Sequence, residues 1–244
     1  MSQIKFYPFN ETSLGFAPMP VPAATMIPDW YKKQSSAGSN DETISLGFTS
    51  STIKRCMPIF DLMSSGYFLL APCDIYIDSR NADRLEHSVP DAIKEVTENF
   101  FSSHNKAQYE ELPYDRKYYH KDLLRFNPLW SLSTPTGYST MFINPPFKDS
   151  LPIEAVSALI DTDKYISNGH LSFLVKFGFA GIIKQGTPLI QAIPFKRESW
   201  TSELIDAKTA SQKLDNQFFN IRSTFINGYK NKTRATVYKV KSVL

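Results

Sequence analysis

"NPLWSLSTPTGYSTMFINPPF", residues 127–147, indicates the fold class of this chain. It is typical of a strand, a Pro-Thr-Gly turn and a second strand. Residues 153–162 and 169–179 each predict one further strand, and 181–197 predict a hairpin with its turn at 184–187. Short strands with turn signals roughly every 8–12 residues predict a mainly β fold, either an antiparallel sandwich, a jelly roll or a β-clip-like core.

The region before this stretch continues the pattern. Residues 53–78 predict a strand, a Ser-Ser-Gly turn and a strand, and the alternation over 74–78 is that of a half-buried strand. Residues 87–105 predict a helix with Ser88 as its N-cap and an apolar stripe on one face. We therefore expect a β-rich core domain over 51–200.

Residues 1–50 form a separate segment by composition. Prolines at positions 18, 20, 22 and 28 fix φ and remove backbone donors, which favours an extended, polyproline-like N-terminal arm and loop. Trp30 and Tyr31 close the proline-rich part. They either pack the arm onto its own domain or bind a neighbouring subunit as partner-binding residues.

Residues 201–244 predict an amphipathic helix followed by a basic tail. Leu214, Phe218, Ile221 and Phe225 recur at helical spacing, so this face should pack against an apolar surface. The tail carries lysines and arginines between tyrosines. It is either a strip that binds nucleic acid or an acidic partner, or a solvated final strand whose charges protect an edge. Its candidate partner-binding residues are Lys230, Lys232 and Arg234, together with Lys239 and Lys241.

The composition limits the kinds of partner, cofactor and location that we expect for this chain. The 244 residues carry a formal net charge of +3, which does not single out nucleic acid or an anionic membrane as the partner. Cys56 and Cys73 form no CxxC motif, and the four histidines show no metal-binding spacing, so we expect no metal site and no cofactor. The N-terminus lacks a signal peptide and no apolar run approaches a membrane span, which predicts a soluble protein made in a cytoplasm.

The carboxylates of Asp161 and Asp163 are the best candidates for chemistry. On a strand, residues two apart point to one face, and two close carboxylates can bind a metal or raise one pKa for proton transfer. The alternative is a strand-end turn, where Asp forms local backbone hydrogen bonds. Sequence alone leaves both interpretations open.

Three segments resemble the trimeric dUTPase and dCTP deaminase superfamily, which has a β-clip fold. They are "TPTGYSTMFINPP", "ALIDTDKY" and "IIKQGTPLIQAIPF", and Phe60-Asp61-Leu62 resembles the segment that opens that fold. The resemblance implies that Asp161 orients an attacking water, that Tyr165 stacks on the base or sugar, and that Gln191 lies at the pocket. Mg²⁺ would be needed only for this nucleotide-hydrolase alternative.

The chain departs from that superfamily at the phosphate-binding positions. Asn144-Pro145-Pro146 stands where the superfamily has Pro-Arg-Ser, and Lys164 shifts Tyr165 by one position. Thr187 and Pro188 replace an Asp-Arg pair, and no glycine-rich C-terminal arm is present. Without these groups, triphosphate chemistry would lose most of its charge stabilisation, so the resemblance implies the fold more than the reaction.

A second resemblance covers most of the chain. "NPLWSLSTPTGYSTMFINPP", "LIDTDKY" and "IIKQGTPLIQAIPFKRESW" are similar to a family of proteins encoded by tailed phages, cyanophages especially. It implies a protein made in the cytoplasm of an infected bacterium, where it acts during takeover or enters the virion. We expect a non-enzymatic binding or assembly protein that self-associates as a homo-oligomer or binds another phage protein; the alternative is a dUTPase-like nucleotide-binding protein or hydrolase.

Overall fold

The computed structural model describes residues 2–38, 52–102, 105–148, 150–169, 172–222 and 228–235. The chain divides into two compact units. The first comprises Met1–Ala23 and Gly66–Arg197, and the second comprises Ala24–Ser65 and Glu198–Leu244. The predicted organisation into 1–50, 51–200 and 201–244 stays a prediction.

The first unit contains the β structure. All pairings between its strands are antiparallel, so the predicted mainly β, antiparallel fold class is confirmed. Its strands are β1 (Lys5–Pro8), β2 (Val21–Pro22), β3 (Tyr67–Leu70), β4 (Ile75–Asp78), β5 (Glu86–Ser88), β6 (Phe101–Ser102), β7 (Leu124–Phe126), β8 (Trp130–Ser133), β9 (Tyr138–Ile143), β10 (Ile153–Ala155), β11 (Ala158–Ile160), β12 (Ser172–Val175), β13 (Ala180–Ile183) and β14 (Pro188–Lys196).

These strands form four sheets within the described residues. The largest has the order β11-β9-β14-β3-β2, and a second has the order β10-β12-β7-β6. β13-β4-β5 and β1-β8 form the smaller two. The nine-residue β14 lies at the centre of the largest sheet and pairs along most of its length with β9, which positions the candidate site described below.

Aromatic rings fill the core of the first unit. Phe126 stacks on Phe100 at a ring-centroid distance of 5.8 Å and on Phe173 at 4.7 Å. All three belong to one buried cluster that also contains Trp130 and Phe142. Large buried rings contribute apolar area and preferred stacking geometry, which stabilises the core of the first unit.

The helices within the described ranges are short except for one. They are α1 (Glu11–Leu14), α2 (Asp29–Lys33), α3 (Met57–Ser64), α4 (Ala207–Arg222) and α5 (Gly228–Lys232), with 3₁₀ turns at Ala23–Met26, Ile53–Arg55, Asp91–Ile93 and Lys106–Gln108. In the second unit, α2 and α3 enclose a small core of Ile27, Tyr31 and Met63. None of the helices in the described part of the chain combines the length and apolar character of a membrane-spanning segment.

The strand predicted directly after residue 52 is wrong. Residues 53–64 form a 3₁₀ turn and then α3. Pro58 lies in the first turn of α3, where a residue without a backbone N–H is tolerated because that group has no partner within the helix. Ser64 Oγ donates to the Phe60 carbonyl oxygen at 2.8 Å, and the strand begins only after Gly66. The second predicted strand of this stretch is confirmed as β3 and β4.

The helix predicted over 87–105 is also wrong. This stretch contains β5, the 3₁₀ turn Asp91–Ile93 and β6. The Asn99 backbone N–H bonds the Thr97 hydroxyl at 3.2 Å, a local bond that competes with helix formation. The apolar stripe nonetheless identified core residues, because Ile93, Val96 and Phe100 are all buried.

Two predictions were right in position, but one was wrong in the number of strands and the other in their pairing. Residues 153–162 form two strands, β10 and β11, in different sheets. The predicted turn at 184–187 is present, with the Thr187 N–H bonded to the Lys184 carbonyl oxygen at 3.1 Å. The strands that flank it, β13 and β14, pair with other strands instead of with each other, so they form no hairpin ladder.

The C-terminal amphipathic helix is confirmed as α4. On its apolar face, Leu214 and Phe218 are 52% and 56% exposed, so the predicted packing of this face against an apolar surface stays a prediction. Phe225, Lys239 and Lys241, which belonged to the predicted stripe and tail, lie outside the described residues.

Candidate functional site

The ends of three neighbouring strands bring the candidate residues together. β9 lies between β11 and β14, and Phe195 on β14 pairs with Ser139 on β9. On the other side of β9, Ile160 pairs with Thr140, so Asp161 follows directly at the same end of the sheet. Arg197, one residue beyond β14, donates its backbone N–H to the Gly137 carbonyl oxygen at 2.8 Å.

"DTDKY", residues 161–165, is a turn. The N–H groups of Lys164 and Tyr165 donate to the Asp161 carbonyl oxygen at 2.9 and 3.0 Å. Thr162 in the middle is fully buried, and its hydroxyl bonds those of Thr134 and Thr140 at 2.7 and 2.8 Å. These bonds attach the turn to the sheet.

Arg197 lies between the two carboxylates. Its Nη1 and Nη2 donate to Asp163 Oδ1 and Oδ2 at 2.8 and 2.5 Å, a bidentate arrangement. The same Nη1 lies 3.1 Å from Asp161 Oδ1, and Ser139 Oγ donates to that oxygen at 2.6 Å. The Gly137 N–H donates to Asp163 Oδ2 at 2.8 Å. We call Ser139, Asp161, Asp163 and Arg197 the Arg197 cluster.

The electrostatics of the Arg197 cluster keep both aspartates ionised. The hydrogen bonds from Arg197 and Gly137 lower the pKa of Asp163 to about 2. The Ser139 hydroxyl and the Arg197 charge lower the pKa of Asp161. A carboxylate that is a weak base and already accepts several hydrogen bonds is poorly suited to activate water. These hydrogen bonds attach the turn after β11 to the ends of β9 and β14.

The Arg197 cluster does not fit a magnesium ion, which prefers carboxylate and water oxygens without a competing cation. Both oxygens of Asp163 accept bonds from Arg197, and its side chain is only 3% exposed. In the described ranges, no group of three His, Cys, Asp or Glu side chains has an arrangement that could hold a metal ion.

Tyr165 and Gln191, the two predicted substrate-binding residues, have different environments. Tyr165 ends the turn and is 54% exposed. Gln191 is fully buried on β14, where it pairs with Ile143 and Phe68. It lies four residues before the position that faces Ser139, which is about 13 Å along a strand.

The two aromatic residues predicted to bind a partner have different environments. Tyr31 is 2% exposed, donates its hydroxyl to the Lys54 carbonyl oxygen at 3.0 Å and stacks on Phe60. Its burial raises its pKa. Tyr31 therefore packs inside its own unit, whereas Trp30 is 40% exposed and stays a predicted partner-binding residue.

The basic residues of the C-terminal tail also differ from one another. Arg234 Nε lies 3.0 and 3.1 Å from the two carboxylate oxygens of Asp61, and its guanidinium lies over the Phe60 ring. It connects the tail to α3. Lys230 and Lys232 lie on α5 and are exposed, so their role in partner binding stays a prediction.

A second feature of the first unit is a cavity of about 260 Å³ beside the loop between β9 and β10. Pro146, Phe147, Lys148, Glu154 and Lys176 are among the residues that line it. Phe147 has a φ of 58°, which is unusual for a residue other than glycine. This cavity is separate from the Arg197 cluster, because the two share no residue.

Comparisons with known proteins identify no family. No protein-family model matches the sequence, and no curated protein matches it. Among solved structures, the chain is similar to a mutant dUTPase of Staphylococcus bacteriophage 80alpha, with a TM-score of 0.34 and 9% sequence identity. That similarity covers 84% of this chain and 96% of the dUTPase.

Sequence reasoning found the two aspartates but missed Arg197 and Ser139. Arg197 is the sole arginine between positions 126 and 221, which was the one available signal. The signal was insufficient because Arg197 reaches the aspartates only through the pairing of β14 with β9, whose residues are more than 45 positions apart.

Proposed function

We propose that this chain is a phage-encoded, non-enzymatic β-rich protein that binds or assembles with other proteins. One observation carries the proposal: the segment from Glu198 to Arg222 exposes large apolar side chains. Trp200 and Leu204 are 87% and 98% exposed, and Leu214 and Phe219 are 52% and 73% exposed. Large exposed apolar surfaces rimmed by polar residues mark interaction sites in soluble proteins.

The Arg197 cluster supports a non-enzymatic role. In the nucleotide-hydrolase alternative, Asp161 would orient water and a Mg²⁺ ion would bind nearby. The guanidinium of Arg197 instead bonds both carboxylates, and Gln191 lies away from them. The part of the resemblance that concerns catalysis therefore has no matching geometry, and the part that concerns the fold does not require catalysis.

The phage origin and the place of action rest on the sequence resemblance to tailed-phage proteins. We propose that the protein acts in the cytoplasm of the infected bacterium or in the virion. Mass spectrometry of purified virions decides between the two: peptides of this chain in stoichiometric amounts place it in the particle, and their absence places it in the infected cell.

The experiment that tests the proposal is a hydrolysis assay with the purified chain. Each of the four deoxynucleoside triphosphates and dUTP is incubated with the protein and Mg²⁺, and the products are separated by chromatography. We expect no hydrolysis and no thermal stabilisation. A nucleotide that binds, at 100 times its Kd, would instead add about 2.7 kcal/mol to the free energy of unfolding. Hydrolysis that Asp161→Asn abolishes would refute the non-enzymatic role.

A further inference from the structure

The cavity beside the loop between β9 and β10 has both apolar and charged residues in its lining. Its volume of about 260 Å³ lies slightly below the roughly 300–1,000 Å³ of pockets that take drug-sized ligands, so it suits a smaller molecule. The apolar lining comprises Pro145, Pro146, Phe147, Leu151 and Ile153, and the polar lining comprises Asn144, Lys148, Glu154 and Lys176. A lining of this composition suits a molecule that has an apolar body and one polar or charged group.

The wall of the cavity is held in place by its own hydrogen bonds. Asn144 Nδ2 donates to the Ala155 carbonyl oxygen at 3.1 Å, and the Ala155 N–H donates to Asn144 Oδ1 at 2.5 Å. The loop is thereby bonded to β10 through a side chain that replaces the backbone groups of a neighbouring strand. The Leu151 N–H bonds the Lys148 carbonyl oxygen at 2.9 Å, which closes a turn at the other end of the loop. A preformed wall loses little conformational entropy when a ligand binds.

The charges in the lining favour an anion. Two lysines and one glutamate give a net charge of +1. Lys176 Nζ lies 3.9 Å from Glu154 Oε1, so these two charges largely offset each other. The Tyr119 hydroxyl also donates to Glu154, and its burial together with this carboxylate raises the pKa of Tyr119 to about 12. Lys148 supplies the remaining positive charge.

The kind of anion follows from the donors that the lining offers. Phosphate sites in proteins commonly use successive backbone N–H groups, a helix N-terminus or the fork of an arginine. Pro145 and Pro146 have no backbone N–H, and none of the described residues that line the cavity is an arginine. A single ammonium group beside apolar side chains instead suits a carboxylate with a carbon skeleton.

We propose that this cavity binds a small organic carboxylate with an apolar body. The carboxylate group bonds the ammonium group of Lys148, and the carbon skeleton packs on apolar residues such as Pro146 and Leu151. This inference goes beyond the proposed function and does not depend on it. No residue of the Arg197 cluster or of the segment 198–222 is among those that line the cavity.

Methyl NMR of the full chain tests the site. The protein, labelled at the leucine and isoleucine methyl groups, is titrated with benzoate, benzyl alcohol and inorganic phosphate. We expect benzoate to shift the signals of Leu151 and Ile153 in a saturable manner. Benzyl alcohol has a similar size but no charge, and it should bind roughly 10-fold more weakly, because a charge-assisted hydrogen bond is stronger than a neutral one. Inorganic phosphate should also bind more weakly than benzoate.

Two lysine variants locate the charge that the ligand recognises. Lys148→Met keeps a long apolar side chain without the ammonium group. It should raise the Kd of benzoate roughly 10-fold and leave the Kd of benzyl alcohol unchanged. Lys164→Met, an exposed change in the turn after β11, is the matched control and should leave both Kd values unchanged. Unshifted methyl signals outside the cavity verify that each variant is folded.

Four outcomes would overturn the inference. They are no saturable shift with benzoate, equal affinity for benzoate and benzyl alcohol, an affinity for phosphate at least as high as that for benzoate, and an unchanged Kd of benzoate in Lys148→Met. The first three need only the wild-type chain, so they decide the matter even if the variant does not fold. None of them bears on the hydrolysis assay, so a failed ligand site is distinguishable from a failed proposed function.

Discussion

Arg197 is the residue on which the geometry of the candidate site depends. It bonds two carboxylates, a hydroxyl and a backbone carbonyl oxygen at the end of the central strand. Each of these acceptors comes from β9 or from the turn after β11. The residue thus connects three chain segments that are distant in sequence, and it does so at the point where the exposed C-terminal segment begins.

Removal of the Arg197 charge should destabilise the first unit. Arg197→Met leaves Asp163, whose side chain is 3% exposed, without its cation. We expect a clear fall of Tm in thermal unfolding and a rise of the pKa of Asp163 towards its ordinary value. Lys164→Met, an exposed change in the same turn, is the control and should leave Tm nearly unchanged. Equal Tm values for the two variants would contradict the attachment role.

The pH dependence of stability follows from the same pair. The pKa of Asp163 is about 2 in the folded chain and about 4 in the unfolded chain, so its contribution is fully present above pH 4 and is lost as the pH falls through 2. Unfolding monitored from pH 5 to pH 2 should show a steeper loss of stability in the wild type than in Asp163→Asn. Parallel curves would show that Asp163 contributes nothing.

At the scale of the elements, one glycine allows the backbone before β3 to lie close to β14. Gly66 has a φ of 66°, and a Cβ there would lie 2.1 Å from the Ala192 carbonyl oxygen. Gly66→Ala should therefore cost roughly 3 kcal/mol through strain and overlap. Gly178→Ala has a similar φ of 84° but no atom within 4 Å, and it should cost about 1 kcal/mol. Denaturant unfolding measures both, and equal losses would contradict the close approach.

The elements also show what local sequence can predict. Strand positions such as 130–133, 138–143 and 188–196 followed from alternation and turn residues, because side-chain period is a local property. Sheet membership did not follow: β13 pairs with β4 more than 100 residues earlier, and no local signal specifies such a partner. The predicted helix over 87–105 was wrong for a related reason, since buried residues at helical spacing also occur in an irregular segment packed on a sheet.

For the candidate site, local sequence predicted the turn but not its partners. The turn that the strand-end alternative predicted is present at 161–165, and it followed from the preference of aspartate for turns, while a catalytic role of Asp161 and Asp163 stays a prediction. Ser139 and Arg197 meet these carboxylates only after β9, β11 and β14 have paired. Their roles were therefore beyond any inference from spacing.

On the scale of the whole molecule, the two units differ in how much apolar surface they bury. The first has one large core with four antiparallel sheets in its described part. The second has a small core around Tyr31 and a 16-residue helix whose residues are mostly exposed. The first unit buries a large apolar core, whereas Trp200 and Leu204 of the second unit expose most of their side-chain surface.

The mass of the full chain in solution, measured by size exclusion with light scattering, tests the central claim most directly, because it reports whether the chain assembles. We predict a mass that is a multiple of the chain mass of 27.7 kDa for the wild type, and a lower mass for a variant with Trp200→Ser and Leu204→Ser, because these changes remove the two most exposed apolar side chains of the C-terminal segment. A monomeric mass for the wild type would contradict the proposal that this chain acts by assembly through its C-terminal segment.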